Sequence, residues 1–295
     1  MADARQDIQL PEFAWLEAEP TMSGATHRET EASAFRQLMP RLIAPMLFAV
    51  VLFGGWEYAI RAYKIPFYVL PDPLLILKTV VADWGLLSQS LLTTLKVTFQ
   101  ALGLAVVLGV SLAIIFNQFR WFEMAVFPWA VVLQVTPIVS IAPLIIIWAD
   151  NVRLALLICA WIVAFFPILS NTMIGLNSID QNLTNLFQLY RASRFDTLRY
   201  LRLPAAMPYF LSGLRISGGL SLIGAVVAEF VAGTGGQGSG LAYRILEASF
   251  ELKIPRLFAA LFLISATGLC IFALTSLLSW LLLRHWHESA MRKER

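Results

Sequence analysis

The 295-residue chain is 58% hydrophobic and only 14% charged, with a mean hydropathy of +0.71 and a net charge of +3. Soluble domains carry about 45–50% apolar and about 25% charged residues, so this composition excludes a globule clothed in water. Period-two alternation is absent, which argues against an outer-membrane β-barrel, and an all-α, polytopic membrane protein is expected.

The first 35 residues differ in kind. Seven acids and two arginines give them a net charge of −5, against +8 on the remainder. No basic leader followed by a short apolar core and a small-residue cleavage site is present, so no removable signal peptide is expected. Residues 1–35 are expected to form a disordered acidic tail, residues 36–284 a membrane domain, and residues 285–295 a polar C-terminal tail.

Six apolar runs of about 20 residues or more predict six transmembrane helices. They are Leu42–Ile60, Leu92–Phe116, Met124–Trp148, Leu154–Leu176, Tyr209–Val231 and Leu257–Leu283. After the first, Leu70-Pro71-Asp72-Pro73 predicts a stiff turn. Leu74 to Leu87 then reads as an amphipathic helix lying in the interface. The first turn of span two carries Lys96 and Gln100 and is expected to emerge from the hydrocarbon.

Span three contains Pro128, Pro137 and Pro143, and span four contains Pro167. Prolines free backbone carbonyls, which a spanning helix tolerates where neighbours or a water-filled route satisfy them. Gln134, Thr136 and Ser140 surround Pro137, and Asn171 follows Pro167. These four are candidates for lining a translocation path; hydrogen bonding between packed helices is the competing role for each. Cys159 and Cys270 fall among apolar residues and read as packing residues, not a disulfide. His285 and His287 are spaced poorly for shared metal ligation.

In span five, Gly213, Ser217 and Ser221 form a small-xxx-small row that permits close helix approach. Glu229 lies near its outer end, within reach of water, with a structural or gating role expected over direct solute contact. Gly233, Gly235 and Gly238 formally match a dinucleotide fingerprint, but no βαβ unit surrounds them, so a turn is expected. Leu241–Glu251 then reads as a short amphipathic stretch.

Between spans four and five lies a polar island, Asp180–Pro204, carrying Arg191, Arg194, Arg199 and Arg202. Ser178-x-x-Gln181 and Ser193-x-x-Asp196 resemble capping boxes, predicting two short helices joined around Tyr190-Arg191-Ala192. The second should end before Leu203-Pro204, because the residue before proline avoids the helical region. Arg194, Arg199 and Arg202 should face solvent, with Leu186, Phe187, Phe195 and Leu198 available to a partner. With the N-terminus inside, eleven lysines and arginines fall on the cytoplasmic side and seven outside, which puts both termini and the island in the cytoplasm.

No G-x-x-x-x-G-K-[ST] phosphate loop, serine elbow or H-E-x-x-H pattern occurs. Ionisable residues within the spans are few, namely Glu229 and, near span ends, Glu57 and Asp150. A carrier driven by ions or protons usually needs more. Energy for uphill transport is therefore expected from another chain through the island. An ATPase-independent carrier or channel is the alternative reading.

The island followed by Leu203-Pro204-Ala205-Ala206-Met207-Pro208 and Gly213-Leu214-Arg215 resembles the coupling loop of binding-protein-dependent ABC importer permeases. Leu70-Pro71-Asp72-Pro73, Thr136-Pro137, Phe166-Pro167 and Val227-Ala228-Glu229 are similar to the nitrate/sulfonate/taurine/bicarbonate-type subgroup. The similarity covers about Leu42 to Leu283, with the coupling loop, residues 178–208, its most specific part. Against the family pattern, Asn185 stands at the usual glutamate, Phe187 at an alanine and Arg191 at a glycine. That glycine allows a turn with positive φ, where a side chain costs about 1 kcal/mol. Either the turn differs here, or contacts of Arg191 offset the strain.

The resemblance implies a type I ABC importer permease fold in the bacterial inner membrane, working as a homodimer. A separate ATPase subunit would hold ATP and Mg, and a periplasmic substrate-binding protein would deliver the solute. The chain itself would bind no cofactor or metal, contact no nucleic acid and perform no catalysis. Asn185, Leu186, Phe187, Tyr190, Arg191, Ser193, Arg194 and Asp196 would couple to the ATPase. The spans mark no arginine pocket for a bare oxyanion. A small organic solute, such as a pyrimidine-type vitamin precursor, a sulfonate or an aromatic acid, is expected.

Overall fold

The computed structural model describes residues 26–233 and 238–284, with side chains from residue 43 onward. Residues 1–25 of the expected tail, Gly235 and its neighbours in the glycine-rich turn, and the C-terminal tail with His285 and His287 lie outside the described residues. Residues 26–35, placed by sequence in the disordered tail, are helical. The chain divides into two units, residues 1–59 and 60–295. The first holds most of α1 (Thr26–Ala62), whose Ile43–Ala62 stretch is apolar and long enough to cross a bilayer.

In the second unit, the Leu70–Pro73 turn precedes the next helix. The Asp72 carboxylate accepts from the Leu75 amide at 2.6 Å and caps α2 (Pro73–Ala82), with Pro73 in the first turn, where its missing N–H costs nothing. A corner at Asp83 leads into α3 (Trp84–Gln118). The expected interfacial helix is thus divided: Trp84–Leu87 already belong to α3. At 35 residues α3 is roughly 52 Å long, well beyond the ~30 Å hydrocarbon core.

The third expected span is broken. α4 (Arg120–Val135) and α5 (Ile138–Trp148) meet at 104°. Pro137 supplies the cause: it has no N–H to donate, and its ring forces Thr136 out of the helical region, to φ −69° and ψ 122°. Asn151 then caps α6 (Val152–Asn177), its side chain accepting from the Arg153 amide at 2.9 Å. Two further helices, the continuous stretch Arg194–Ala232, which includes α9 (Leu203–Ala232), and α11 (Ile254–Leu283), join α3 and α6 among the candidate spans. Between the last two lies α10 (Leu241–Phe250). Among the described residues five helices qualify as spans, and the bent pair makes six.

Lipid tails are as apolar as leucine, so these helices associate through close packing and hydrogen bonds. The α6–α9 seam shows both. A Cβ on Gly213 would stand 2.7 Å from the Pro167 carbonyl oxygen, and one on Gly224 2.8 Å from Ala160 Cα. Between them the fully buried Ser217 donates to the Ala164 carbonyl at 2.6 Å. Ser221, also buried, bonds within its own helix to Gly218. Phe116, Ile168, Leu169, Leu176 and Leu211 fill the core between α3, α6 and α9 toward the end that carries the island.

Candidate functional site

The island folds as a helix, a turn and a second helix. Ser178 closes α6, its hydroxyl donating to the Gly175 carbonyl at 2.9 Å, and so does not start the next helix as its sequence spacing suggested. Asp180 caps α7 (Gln181–Leu189) instead, accepting from the Asn182 amide at 2.7 Å; an ionised carboxylate is the stronger acceptor at a helix start. At the far end of α7 the Ala192 amide donates to the Phe187 carbonyl at 3.0 Å and the Arg191 amide to Gln188 at 2.9 Å. This is a Schellman closure with Arg191 at φ +51°. The turn therefore keeps the geometry that suits glycine, and no side-chain contact of Arg191 among the described residues offsets the strain.

Ser193 caps α8 (Arg194–Thr197). The Asp196 amide donates to its hydroxyl at 3.1 Å, and the hydroxyl donates to the Asp196 carboxylate at 2.6 Å. The helix was expected to end before Leu203-Pro204, and it does not. Leu198–Arg202 form one π-turn, in which the Leu203 amide reaches back five residues to the Leu198 carbonyl. That widened turn accommodates a proline ring and the carbonyl it cannot bond. Arg194 to Ala232 is consequently one unbroken helical rod.

Leu186, Tyr190, Arg194 and Phe195 are exposed on the island, as is Asn185, whose side chain accepts from Gln181 at 3.2 Å. Phe187 is half-buried, and Leu198 packs against the core. Arg202 departs from expectation: it is half-buried and donates through Nη1 to the Asn117 side-chain oxygen, while Asn117 Nδ2 donates to Asn177 at 2.9 Å. Asn117 and Arg202 together line two cavities, of about 500 and about 360 Å³. The smaller one is walled by Phe187, Arg194 and Thr197 of the island.

Gln134 and Thr136 share a cavity of about 330 Å³ at the broken span, with Pro137 and Pro167 in its wall. The Thr136 hydroxyl is engaged with the Val132 carbonyl at 2.7 Å, and Asn171 donates to the Pro167 carbonyl at 2.9 Å within its own helix. Ser140 is exposed and does not line that cavity. The four candidates for the path are thus only partly gathered.

At the opposite end of the bundle, Glu229 is only 3% exposed, so the expected contact with water is corrected. Its carboxylate accepts from the Thr94 hydroxyl at 2.8 Å and from the Ala242 amide at 3.1 Å. Thr94 in turn accepts from the Leu241 amide at 2.9 Å. One carboxylate and one hydroxyl thereby satisfy the first two amides of α10, whose preceding residue, Gly240, offers no side-chain cap. A Cβ on Gly240 would overlap the Glu229 carboxyl group. Nearby, Arg256 pairs with Asp83 at 2.6 Å, and Lys253 bonds Glu251 at 2.9 Å, which holds that carboxylate below its usual range. Thr94, Asn117, Asn177, Arg202 and Gly240 were not marked as site residues by sequence.

The match to known proteins follows the same region. The family described as binding-protein-dependent transport system inner membrane component matches residues 105–285. A probable ABC transporter permease protein of Haemophilus influenzae is 30% identical over 232 residues, 79% of this chain and 93% of its own. The formylaminopyrimidine transport permease protein ThiX of Halalkalibacterium halodurans is 31% identical over 78% of this chain and 91% of its own. The riboflavin transport system permease protein RibX of Chloroflexus aurantiacus is 32% identical over 81% and 88%.

Proposed function

Because the chain belongs to the family of binding-protein-dependent inner-membrane components, the permeases of ABC importers, we propose that it is the membrane conduit of an ATP-driven importer of a small organic solute. Residues 36–284 form the permease domain, and residues 178–208 its coupling loop. The N- and C-termini and the island face the cytoplasm, where an ATPase subunit grips the island. A periplasmic binding protein delivers solute to the opposite face, and two copies of the chain enclose the path.

The observation that carries this reading is the rod from Arg194 to Ala232. The second island helix passes through the π-turn into a spanning helix without a break. Displacement of the island is therefore transmitted along α9 to the seam with α6 and, at its far end, to Glu229. Asn185, Leu186, Phe187, Tyr190, Arg191, Ser193, Arg194 and Asp196 form the ATPase contact. ATP and Mg stay on that partner, because the chain has no phosphate loop of its own. ATP binding draws the paired loops together and opens the path outward, and hydrolysis resets it; Gln134, Thr136, Ser140 and Asn171 line the route. Glu229, buried against α3 and α10, holds the outer end and gates it.

Relatives named for formylaminopyrimidine and riboflavin transport favour a nitrogen-heterocyclic vitamin or precursor as the solute over a sulfonate or aromatic acid. Binding measurements on the cognate binding protein test that choice. The coupling role is tested with Arg191→Glu combined with Arg194→Glu. The double variant should insert into the membrane normally and lose co-purifying ATPase. Normal retention of the ATPase would refute the island as its contact.

A further inference from the structure

The two cavities beside the island hold a cluster of arginines of which the transport cycle above uses only Arg194. Both are walled by Asn117 and Arg202. Arg120 lines the larger and Arg194 the smaller, so three guanidiniums face adjoining spaces, against one carboxylate, Glu123, in the larger. Among the described residues none of the three arginines forms an ion pair. Arg202 is held in place by Asn117, which Asn177 orients in turn. A half-buried, pre-oriented guanidinium without an acidic partner is built to receive an anion from outside the chain.

The larger cavity also has a second chemical character. Phe116, Met124, Phe127 and Pro128 line it, and α4 continues from there with Met124 and Trp129 exposed. Trp121, next to Arg120 in sequence, is exposed as well. An exposed tryptophan beside an arginine at a helix start marks the headgroup level of a bilayer. An occupant must therefore be anionic at one end and apolar at the other, and must lie at headgroup depth. Basic pockets between spanning helices bind phospholipid headgroups in this way.

We propose that these cavities form a binding site for the phosphodiester group of an anionic phospholipid, held by Arg120, Arg202 and Arg194, with the acyl chain along α4. The smaller cavity reaches Phe187 and Thr197, so the bound phosphate braces the island against the ends of α3 and α6. The island is then stiffened by a lipid as well as by its own caps. Arg194 and Phe187 are shared with the proposed ATPase contact, whereas Arg120 and Arg202 lie outside it.

The full chain, extracted from membranes in mild detergent, provides the test through native mass spectrometry and thermal unfolding. Wild-type protein should retain phosphatidylglycerol, and added phosphatidylglycerol should raise its unfolding midpoint. Phosphatidylcholine or sodium phosphate at the same concentration should not. Arg120→Gln with Arg202→Gln should weaken the phosphatidylglycerol response roughly thirty-fold, and Arg120→Gln alone, at an exposed position, roughly five-fold. An unchanged response in the single and double variants would overturn the site. An equal response to sodium phosphate would assign it to a free anion and overturn the lipid. A shift in dimer mass with an unaltered lipid response would give the cavity to a second copy of the chain and likewise overturn it. Co-purification of the ATPase, read in the same samples, keeps this result separate from the coupling role.

Discussion

Thr94 and Glu229 lie 135 residues apart and share a 2.8 Å hydrogen bond, both buried, at the end of the bundle opposite the island. The pair joins α3 to the last turn of α9, and through the Leu241 and Ala242 amides it fixes where α10 begins. A buried carboxylate is costly unless its oxygens are satisfied. Here the partners are one hydroxyl and one free amide of a helix start, so the two unmet demands cancel.

Replacing Thr94 by Val keeps the shape and removes the hydroxyl. Glu229 then loses a donor and the Leu241 amide loses its acceptor, at a cost of about 1–3 kcal/mol. Thr94→Ser should stay close to wild type. Thermal unfolding of the purified protein distinguishes them, and equal midpoints for Val and Ser would remove Thr94 from the network.

Gly240→Ala attacks the same network from the loop. The added Cβ would overlap the Glu229 carboxyl group, so the carboxylate must move off its partners. The loss should match that of Thr94→Val in size and should not add to it in the double variant, because both break one unit. Additive losses would mean that the two residues act separately.

Two glycines of α9 six residues apart face opposite demands, Gly213 in the seam with α6 and Gly219 outside it. Gly213→Ala forces a Cβ against the Pro167 carbonyl oxygen and Asn171 Cβ, at 2.7 and 3.0 Å, and should cost about 1–3 kcal/mol. Gly219 has nothing within 4 Å of the same atom, and Gly219→Ala should stabilise by about 0.5–1 kcal/mol, since glycine is costly inside a helix. Detergent-melting midpoints should move in opposite directions.

Much of this was legible in the chain. Five of the six spans follow from apolar runs, the Pro73 helix start from Asp72-Pro73, and the second island cap from Ser193-x-x-Asp196. Three readings failed because a local rule met a competing one nearby. Ser178 lost the first cap to Asp180, whose charge and position two residues later suit the helix start. Pro204 did not stop the helix, because the π-turn at Leu198–Arg202 widened it first. Span three is continuous by hydropathy, but Pro137 in its middle bends it by 104°. What could not be read are the long-range pairs. Nothing local in the sequence marks Thr94 as the donor to Glu229, or Asn117 as the acceptor that turns Arg202 inward.

Arg191 occupies the left-handed position of the island turn and bears the strain that position imposes on a side chain. Arg191→Gly should relieve about 1 kcal/mol of left-handed backbone strain. Hydrogen exchange at the Ala192 amide, which bonds to Phe187, should slow about five-fold. Arg191→Val should speed it, since a β-branched residue tolerates positive φ least. Unchanged exchange in both variants would mean that the turn does not hold this geometry in the membrane.

The proposed function rests on energy arriving through the island from an ATPase. The measurement that bears on it most directly is solute uptake into proteoliposomes holding the purified chain, with and without its cognate ATPase and binding protein. Accumulation against a gradient should require all three components and ATP. Accumulation by the chain alone, without nucleotide, would contradict the proposal at its root.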